Sequence, residues 1–438
     1  MSETLASLTD RVAAIPLGPR MPRWWWAALA PAAALTLLLM VAIGWLFYKG
    51  TGIWGIDYPV AWGFAIINYV WWIGIASGGT FLSAFFFLME AEWRSALSRI
   101  AETMTLFAAG CAGIYPILHL GRPWLFYWLL PYPDTMGLWP QFRSPLLWDF
   151  YAILTYVIGS VLFWYLGLIP DIASLRDSAR SPVRRCVYAI LAMDFHGSAR
   201  QWRVYRDCYG VFAVVMAPLV VSVHSIVGLD FAGGQTPGWH STQFPPFFVF
   251  GAVLSGFAIV LLLVVPLRRL LAFETLITER HLDILARLLL TSSLCVAYAY
   301  AMEAFEVFHG DDAAERTLFL ERLRGIYWPV YWGTILGNVI APQLFWWRRM
   351  RASPAALLGV SFLVVAGMWL ERFEIVVTSL ARTRLPSSWG AYVPTFWDYA
   401  TLFGTVGVFS LGMLLFLRFL PALSMAELRE GLAKGESS

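Results

Sequence analysis

Long apolar stretches recur along the whole chain, and they limit its possible folds more than any other feature of the sequence. Each is about 20 residues or longer, the length at which a helix rising 1.5 Å per residue crosses the roughly 30 Å hydrocarbon core of a bilayer. Of the 438 residues, 59% are hydrophobic and only 13% are charged, a balance that excludes a soluble globule. The sequence therefore predicts an all-α integral membrane protein.

Charged residues, prolines and glycines divide the apolar part of the chain into ten predicted transmembrane helices. They cover residues 25–48, 59–89, 101–121, 145–169, 207–230, 245–271, 282–308, 327–347, 354–376 and 397–420. The four cysteines form no CxxC or CxxCH motif. We therefore expect no haem, iron–sulfur cluster or other metal in this chain.

The basic residues predict the orientation of the chain in the membrane. Most Lys and Arg fall in the segments that share a side with the two chain ends, above all in the arginine-rich connection 171–206. By the positive-inside rule, the N-terminal segment 1–24 and the tail 421–438 are both cytoplasmic. Residues 183–193 of the connection are expected to lie flat as an interfacial helix.

Two groups of four helices show the same order of directions. Helices two to five and six to nine both place ionisable residues near the outer ends of their second and fourth members. This pattern predicts two four-helix bundles related by a parallel repeat, at residues 59–230 and 245–376. The helices at 25–48 and 397–420 are expected to be peripheral.

One set of polar residues lies near the outer ends of the third and fourth helices. Tyr115, His119 and Arg122 follow each other at spacings that favour one helical face, and Asp149 begins the fourth helix. Such residues inside a membrane are functional candidates, because burying an ionisable group in lipid is costly. The alternative is structural: His119 and Arg122 end one helix, and Asp149 caps the next.

The functional interpretation of this set is a pocket for a quinol. Oxidation of a quinol requires acceptors for two hydroxyl protons and apolar walls for the ring. His119 and Asp149 would be the catalytic proton acceptors, and Arg122 would keep Asp149 ionised. Besides these, the expected quinol-binding residues are Tyr115, Trp124 and Trp148.

A second set of ionisable residues lies in later helices, and its members are proton-transfer candidates. The set comprises His224, Asp230, Glu303, Glu306, Glu371 and Glu374. The pairs Glu303/Glu306 and Glu371/Glu374 place two carboxylates on one helical face, which suits proton transfer. An ion-pair network neutralised by Arg372 and Arg382 is an equal alternative. A Glu/Glu/His metal site that includes His309 is disfavoured, since no further residue is apparent that would orient its ligands.

The second helix carries Asn68, Ser77, Gly78, Gly79 and Thr80. Small residues at this density usually indicate close helix packing, and a proton route through Asn68 and Thr80 is the alternative. In the inner half of the membrane few further polar residues are apparent, so the sequence gives little indication of a proton pump. A substrate transporter is another alternative, favoured by the repeat and by the spans that Gly and Pro interrupt.

Several segments between residues 59 and 420 resemble one family in their order and spacing. They include IINYVWWIGIASGGTFLSA, YPILHLGRPWLFYWLLPYP, FRSPLLWDFYAILTY, SVHSIVGLDFA, YAMEAFEVF and MWLERFEIVVTSL. The chain is similar to the NrfD-like, polysulfide-reductase-type family of quinone-reactive membrane subunits, and close to the large NrfD-like subunit of alternative complex III. Relatives commonly carry a histidine where this chain has Ala76-Ser77-Gly78, which argues against a proton route there.

The resemblance implies a multi-pass subunit of the bacterial cytoplasmic (inner) membrane, with a quinol pocket lined by His119, Arg122 and Asp149. The substrate would be menaquinol or ubiquinol. The implied partners are an iron–sulfur/molybdopterin-like subunit on the outer face, multihaem and monohaem cytochrome c subunits and a paralogous NrfD-like subunit. They would hold the haem and iron–sulfur groups.

The expected function is quinol oxidation within alternative complex III, in a respiratory or photosynthetic chain, with protons released outside. The alternatives are the paralogous proton-translocating subunit of that complex and the membrane anchor of a molybdopterin/iron–sulfur reductase.

Overall fold

The computed structural model describes residues 5–129 and 142–433, and this part of the chain is helical with no strands. In chain order, the main helices are α1 (Leu5–Leu17), α2 (Arg23–Lys49), α3 (Phe64–Leu88), α4 (Ser98–His119), α5 (Pro145–Ser178), α6 (Pro182–Leu191), α7 (Ala199–Ala232), α8 (Phe244–Leu270), α9 (Glu279–His309), α10 (Ala313–Arg324), α11 (Trp328–Ile335), α12 (Pro354–Ala381), α13 (Phe396–Phe419) and α14 (Met425–Ala433).

Short irregular segments interrupt or join these helices. α3 and α12 each contain a five-residue π-helical stretch, at Phe81–Phe85 and Glu374–Thr378. Other short helices are Thr51–Ile53, Glu92–Ala96, Pro123–Leu129, Arg348–Arg351 and Pro386–Ser388. Proline at the first turn of α5 and α12 begins those helices, since its missing N–H needs no partner there.

Nine helices in the described part are long and apolar enough to cross a membrane: α2, α3, α4, α5, α7, α8, α9, α12 and α13. They match nine of the ten predicted spans closely. The remaining predicted span, the eighth along the chain at 327–347, is not one regular helix. α11 passes into the π-helical stretch Leu336–Ile340 and then into the 3-10 helix Ala341–Trp346, in which Pro342 lacks the N–H of a regular helix.

Both ends of the described chain lie on one side of the helical assembly. α1 packs against α13 and α14, and Arg429 of α14 donates a hydrogen bond to Thr9 of α1. An even number of crossings is needed to return the chain to its starting side. The irregular segment that begins with α11 therefore crosses as well, which brings the total to ten. We call this side the terminal side and the opposite one the distal side. The placement of the terminal side in the cytoplasm stays a prediction.

The predicted polar connection 171–206 is shorter than expected, because the helices on both sides extend into it. α5 continues to Ser178, and α7 begins at Ala199 after Ser198. Ser198 accepts a hydrogen bond from the Gln201 N–H, and the Gln201 side chain returns to the Ser198 N–H, which forms a capping box. α6 lies between them, and its bounds are close to those of the predicted interfacial helix, residues 183–193.

α3 and α8 lie at the centre of the helical assembly. α3, α4, α5 and α7 are neighbours, and α8 contacts α9, α12, α3 and α7. We use first bundle and second bundle for residues 59–230 and 245–376, whose relation by a repeat stays a prediction. Every residue of α3 from Phe64 to Thr80 except Ile66 is buried. By contrast, α2 is mostly exposed and packs against α13.

Two glycines let α3 and α8 touch through their backbones. A Cβ atom placed on Gly256 would lie 2.3 Å from the Gly78 Cα, and one on Gly78 would lie 2.4 Å from the Gly256 Cα. The neighbouring Gly79 faces α4 instead, where its Cβ would meet the Ala101 carbonyl oxygen at 2.6 Å. The small residues of the second helix therefore provide close packing on two sides, as the packing interpretation predicted.

Replacing Gly256 by Ala should destabilise the protein, because the added methyl group overlaps the backbone of α3. We expect a loss of about 1–3 kcal/mol, typical of overpacking. The matched control is Gly113→Ala on α4, where a Cβ would meet nothing within 4 Å. Thermal unfolding in detergent measures both variants; a Gly256→Ala protein as stable as the control would contradict the close contact.

Candidate functional site

A buried carboxyl group lies near the distal end of α5. Asp149 is 8% exposed, and its Oδ2 accepts a hydrogen bond from the hydroxyl of Tyr69 on α3. Its other oxygen, Oδ1, has no hydrogen-bond partner among the described residues. Sequence analysis did not identify Tyr69, because one tyrosine in an aromatic-rich helix gives no signal beyond packing. The structure therefore adds Tyr69 to the predicted site.

Asp230 at the distal end of α7 joins this site. It interacts electrostatically with Asp149 and with Tyr69, and its Oδ1 is also buried without a partner. The sequence grouped Asp230 with the later helices, because it lies 81 residues beyond Asp149. Two neighbouring carboxyl groups influence each other's protonation, so this pair can hold and exchange protons as a unit. We call Tyr69, Asp149 and Asp230 the distal carboxyl site.

His119 ends α4 on the same side of the protein. It is partly buried, and its Nδ1 has no hydrogen-bond partner in the described part of the chain. The helix stops here because Gly121 adopts a φ of +69° and Pro123 follows. Arg122 therefore lies beyond the helix, exposed, and it makes no ion pair with Asp149. The predicted common helical face does not extend to Arg122.

Tyr115 points towards α13 and away from the distal carboxyl site. Its buried hydroxyl lies 3.1 Å from the Thr401 carbonyl oxygen and 2.9 Å from the Thr405 Oγ1. This contact ties α4 to the peripheral helix α13. The structure thus gives Tyr115 a packing partner, while its predicted contact with a quinol has no geometric support.

Two exposed tryptophans lie near the distal ends of α4 and α5. Trp124 is 58% exposed and Trp148 is 42% exposed, and the Trp148 Nε1 donates to the Phe142 carbonyl oxygen at 2.7 Å. Both remain available as walls for an apolar ring. Residues 130–141 connect the two parts of the chain that carry these side chains, and they lie outside the described residues.

A separate cluster of hydroxyl groups lies in the interior of the first bundle. Thr80 Oγ1 lies 2.7 Å from the Tyr156 hydroxyl and donates to the Thr105 Oγ1 at 3.3 Å. Asn68 accepts a hydrogen bond from the Trp369 Nε1 at 2.8 Å, across the junction between the bundles. Thr80 is thus part of a hydroxyl cluster, whereas Asn68 joins the two bundles.

In the second bundle, Arg322 neutralises two glutamates. Its Nη1 lies 2.6 Å from Glu303, and its Nε lies 3.4 Å from Glu374. Burial alone would lower the pKa of Arg322, but the two carboxylates raise it above its ordinary value. Arg322 comes from α10, outside the membrane spans, and sequence analysis missed it. This part of the second set is therefore an ion-pair network.

Glu371 has separate partners. Tyr300 donates a hydrogen bond to its Oε2, Asn338 lies 3.5 Å from the same atom, and Arg372 contacts its Oε1. The space between Tyr300, Glu371 and the Arg322 network measures about 20 Å³, enough for one water molecule. The predicted neutralising role of Arg372 agrees with this geometry. Arg382 pairs with Glu321 instead, at 3.0 Å.

Glu306 lies apart from Glu303 despite their i, i+3 spacing. It is exposed and accepts hydrogen bonds from Ser241 and Gln243. His309 is exposed as well, with its ring stacked on Phe305. No group of His, Cys, Asp and Glu among the described residues is arranged to hold a metal ion, so the Glu/Glu/His alternative gains no support.

Sequence analysis also missed a buried charged cluster near the terminal side. Arg99 lies 2.8 Å from Glu102 and 3.1 Å from Asp171, and the Tyr209 hydroxyl donates to Glu102 at 2.7 Å. All four side chains are buried. α4 begins three residues before the predicted span, which carries Arg99 into the interior. The half of the protein next to the terminal side therefore contains more polar groups than the sequence suggested.

The C-terminal helix covers this cluster. The Ala426 N–H donates to Asp171 at 2.9 Å, and Glu427 pairs with Arg94 at 2.9 Å. Burial alone would lower the pKa of Arg94, but Glu427 raises it above its ordinary value. α14 thus seals the terminal side of the first bundle with complementary charge.

Replacing Arg322 by Met should destabilise the second bundle, because Glu303 and Glu374 would lose their shared cation. We expect a loss of about 3 kcal/mol, in the range for a broken buried ion pair. Arg324→Met is the matched control on the same helix, since Arg324 is exposed. Equal melting temperatures for the two variants in detergent would argue against the network.

Comparison with known proteins places this arrangement in a family. A family model described as "Polysulphide reductase, NrfD" matches residues 54–383, well over half of the chain. A Halobacterium salinarum protein, described as a putative membrane subunit of dimethyl sulfoxide reductase, is 27% identical over 417 residues, covering 88% of this chain and 90% of the relative. A selenate reductase subunit of Mesobacillus selenatarsenatis is 22% identical, covering 80% and 83%.

The names of these relatives refine the expectation drawn from the sequence. Both describe subunits of reductases, so they support the family and an association with an oxidoreductase. They do not support the closer match to alternative complex III. The chain belongs to the NrfD, or polysulphide reductase, family of membrane subunits.

Proposed function

We propose that this chain is the quinol-oxidising membrane subunit of a reductase complex with an iron–sulfur and molybdopterin partner. The family is quinone-reactive, and the two relatives carry the names of reductase subunits. The partner would lie on the distal side, next to the distal carboxyl site. The resemblance of several motifs to alternative complex III supports a second candidate, in which cytochromes c receive the electrons; the named relatives favour the first.

The observation that carries the proposal is a pair of buried polar atoms without partners. Asp149 Oδ1 and His119 Nδ1 both lie near the distal end of the first bundle, and neither finds a hydrogen bond among the described residues. Buried polar atoms usually have partners, and a bound ligand is one way to supply them. A quinol has two hydroxyl donors, one for the carboxylate oxygen and one for Nδ1 in the tautomer that carries its proton on Nε2.

In this mechanism Asp149 and His119 accept the hydrogen bonds of the two quinol hydroxyls. Tyr69 fixes the carboxyl group by holding its Oδ2, so that Oδ1 faces the substrate. Oxidation to the quinone releases two electrons to the partner's cluster and two protons, one to each acceptor. The Asp149–Asp230 pair then holds one proton more than at rest; Asp230 releases its proton on the distal side and takes up the one on Asp149, which regenerates the site.

Exposed aromatic side chains would guide the quinol to this site from the lipid. Trp124 and Trp148 present apolar faces at the level where the distal carboxyl site begins. The isoprenoid tail can stay in the lipid beside α5, whose residues Leu154, Ile158 and Leu162 are exposed. Such a pocket at the membrane edge admits a lipid-soluble substrate without opening the interior to water.

Asp149→Asn and His119→Ala should each abolish quinol-dependent electron transfer to the partner protein, because each removes one proton acceptor. The measurement is quinol oxidation by the purified complex, with its assembly checked in parallel by gel electrophoresis. Asp311→Asn serves as the control, since Asp311 is fully exposed. Normal turnover in an assembled Asp149→Asn complex would contradict the proposal.

Tyr69→Phe should slow quinol oxidation without stopping it, because Asp149 keeps its carboxyl group but loses the bond that orients it. A hydrogen bond to a charged group contributes about 1.5–3 kcal/mol, which corresponds to roughly 10- to 100-fold in rate. Tyr298→Phe on α9 is the control, since Tyr298 is 68% exposed. If the two variants had equal rates, Tyr69 would have no positioning role.

A further inference from the structure

A histidine lies fully buried among the helices without a hydrogen-bond partner. His224 on α7 is 0% exposed, and neither Nδ1 nor Nε2 contacts a donor or acceptor among the described residues. In either protonation state an imidazole has at least one N–H that needs an acceptor. A completely unbonded imidazole in an apolar interior would cost more than a buried apolar side chain of similar size.

The surroundings of His224 belong to both bundles. A Cβ atom built on Gly74 of α3 would lie 3.8 Å from the His224 Nε2 and 3.9 Å from the Ala252 Cα of α8. The His224 ring also interacts electrostatically with Arg372 on α12. Arg372 stacks over the Phe248 ring, with the guanidinium carbon 4.7 Å from the ring centre. Its Nε is also buried without a partner. The junction of the bundles thus contains several polar atoms that no described side chain satisfies.

Gly74 leaves room beside the imidazole. A Cβ atom placed there would approach no atom of a neighbouring helix closer than 3.8 Å, and the nearest is the His224 Nε2. The neighbouring helix glycines Gly78 and Gly79 are different, since a Cβ at either position would overlap another helix. At Gly74, therefore, the missing side chain leaves a methyl-sized space against a ring nitrogen.

The chemistry of His224 selects what can fill this space. A second positive charge beside Arg372 would be repelled, so the imidazole is neutral and has one donor and one acceptor nitrogen. An anion can satisfy only the donor, and a metal cation would be repelled by Arg372. Water is the small ligand that both donates and accepts, and buried polar groups of this kind usually bind it.

We propose that His224 binds ordered water at the junction of the two bundles, beside Gly74. This water supplies the hydrogen bonds that the imidazole lacks, at a place where helices of both bundles meet.

A high-resolution cryo-EM map of the assembled complex tests the site directly. We expect density for water within about 3.2 Å of Nδ1 or Nε2 of His224. An imidazole surrounded by protein atoms alone, with no such density at either nitrogen, would overturn the proposal. A second map, recorded after chloride is replaced by a bulkier anion, should show the same density. Density that disappears on this exchange would belong to chloride, which would also overturn the proposal.

A stability measurement gives an independent answer. Gly74→Ala introduces a methyl group without steric overlap, so in a dry space it should raise the melting temperature, as alanine is favoured over glycine in helices. If the space holds the water of His224, the same change displaces it and lowers the melting temperature by several degrees. Gly113→Ala is the matched control. An increase for Gly74→Ala equal to that of the control would overturn the proposal.

The effect of Gly74→Ala should also depend on His224. In a His224→Leu background no ring nitrogen requires water, so the added methyl group should lose its penalty and become neutral or favourable. The two single variants and the double variant form a cycle that isolates this coupling. A penalty of the same size in both backgrounds would indicate simple crowding and would also overturn the proposal.

Discussion

The contact between Gly78 and Gly256 is the constraint on which the rest of the structure depends. Lipid offers no hydrophobic force to drive helices together, so α3 and α8 associate through close backbone packing. Because the helices touch at the glycines, the side chains on either side of the crossing come within reach of both bundles. His224, Arg372 and the Asn68–Trp369 hydrogen bond all lie at this junction. Larger residues at the crossing would separate the bundles and disrupt every polar contact between them.

The chain satisfies its buried charges in different ways at different places. Near the terminal side, Arg99 pairs with Glu102 and Asp171. In the second bundle, Arg322 and Arg372 form ion pairs with three glutamates, Glu303, Glu374 and Glu371. A buried ion pair adds little net stability compared with apolar packing, but removing one partner is strongly unfavourable. These two clusters are therefore fixed parts of the structure, and a substitution there changes stability before it changes chemistry.

The sequence predicted the regular parts of this fold well because hydrophobic length determines them: 397–420 corresponds to Phe396–Phe419, and 245–271 to Phe244–Leu270. It predicted the irregular span 327–347 as a simple helix, since mean hydropathy does not register a π-helical stretch or Pro342. The site was harder. Asp149 and Asp230 were both identified by their burial cost, but in separate sets. Their proximity, and the part played by Tyr69, became visible only when three helix ends distant in sequence met. Arg322 was missed because it approaches the membrane from an extramembrane helix.

The distal carboxyl site differs from the other clusters in its charge. Neither Asp149 nor Asp230 is paired with an Arg or Lys in the described structure. Two carboxylates without a cation cannot both stay ionised in a low-dielectric interior, so at least one holds a proton. A group that binds a proton in this way can also release it when its neighbour or substrate changes charge. Of the buried clusters described, this one is therefore suited to accept protons from a substrate, whereas the neutralised clusters are suited to hold helices together.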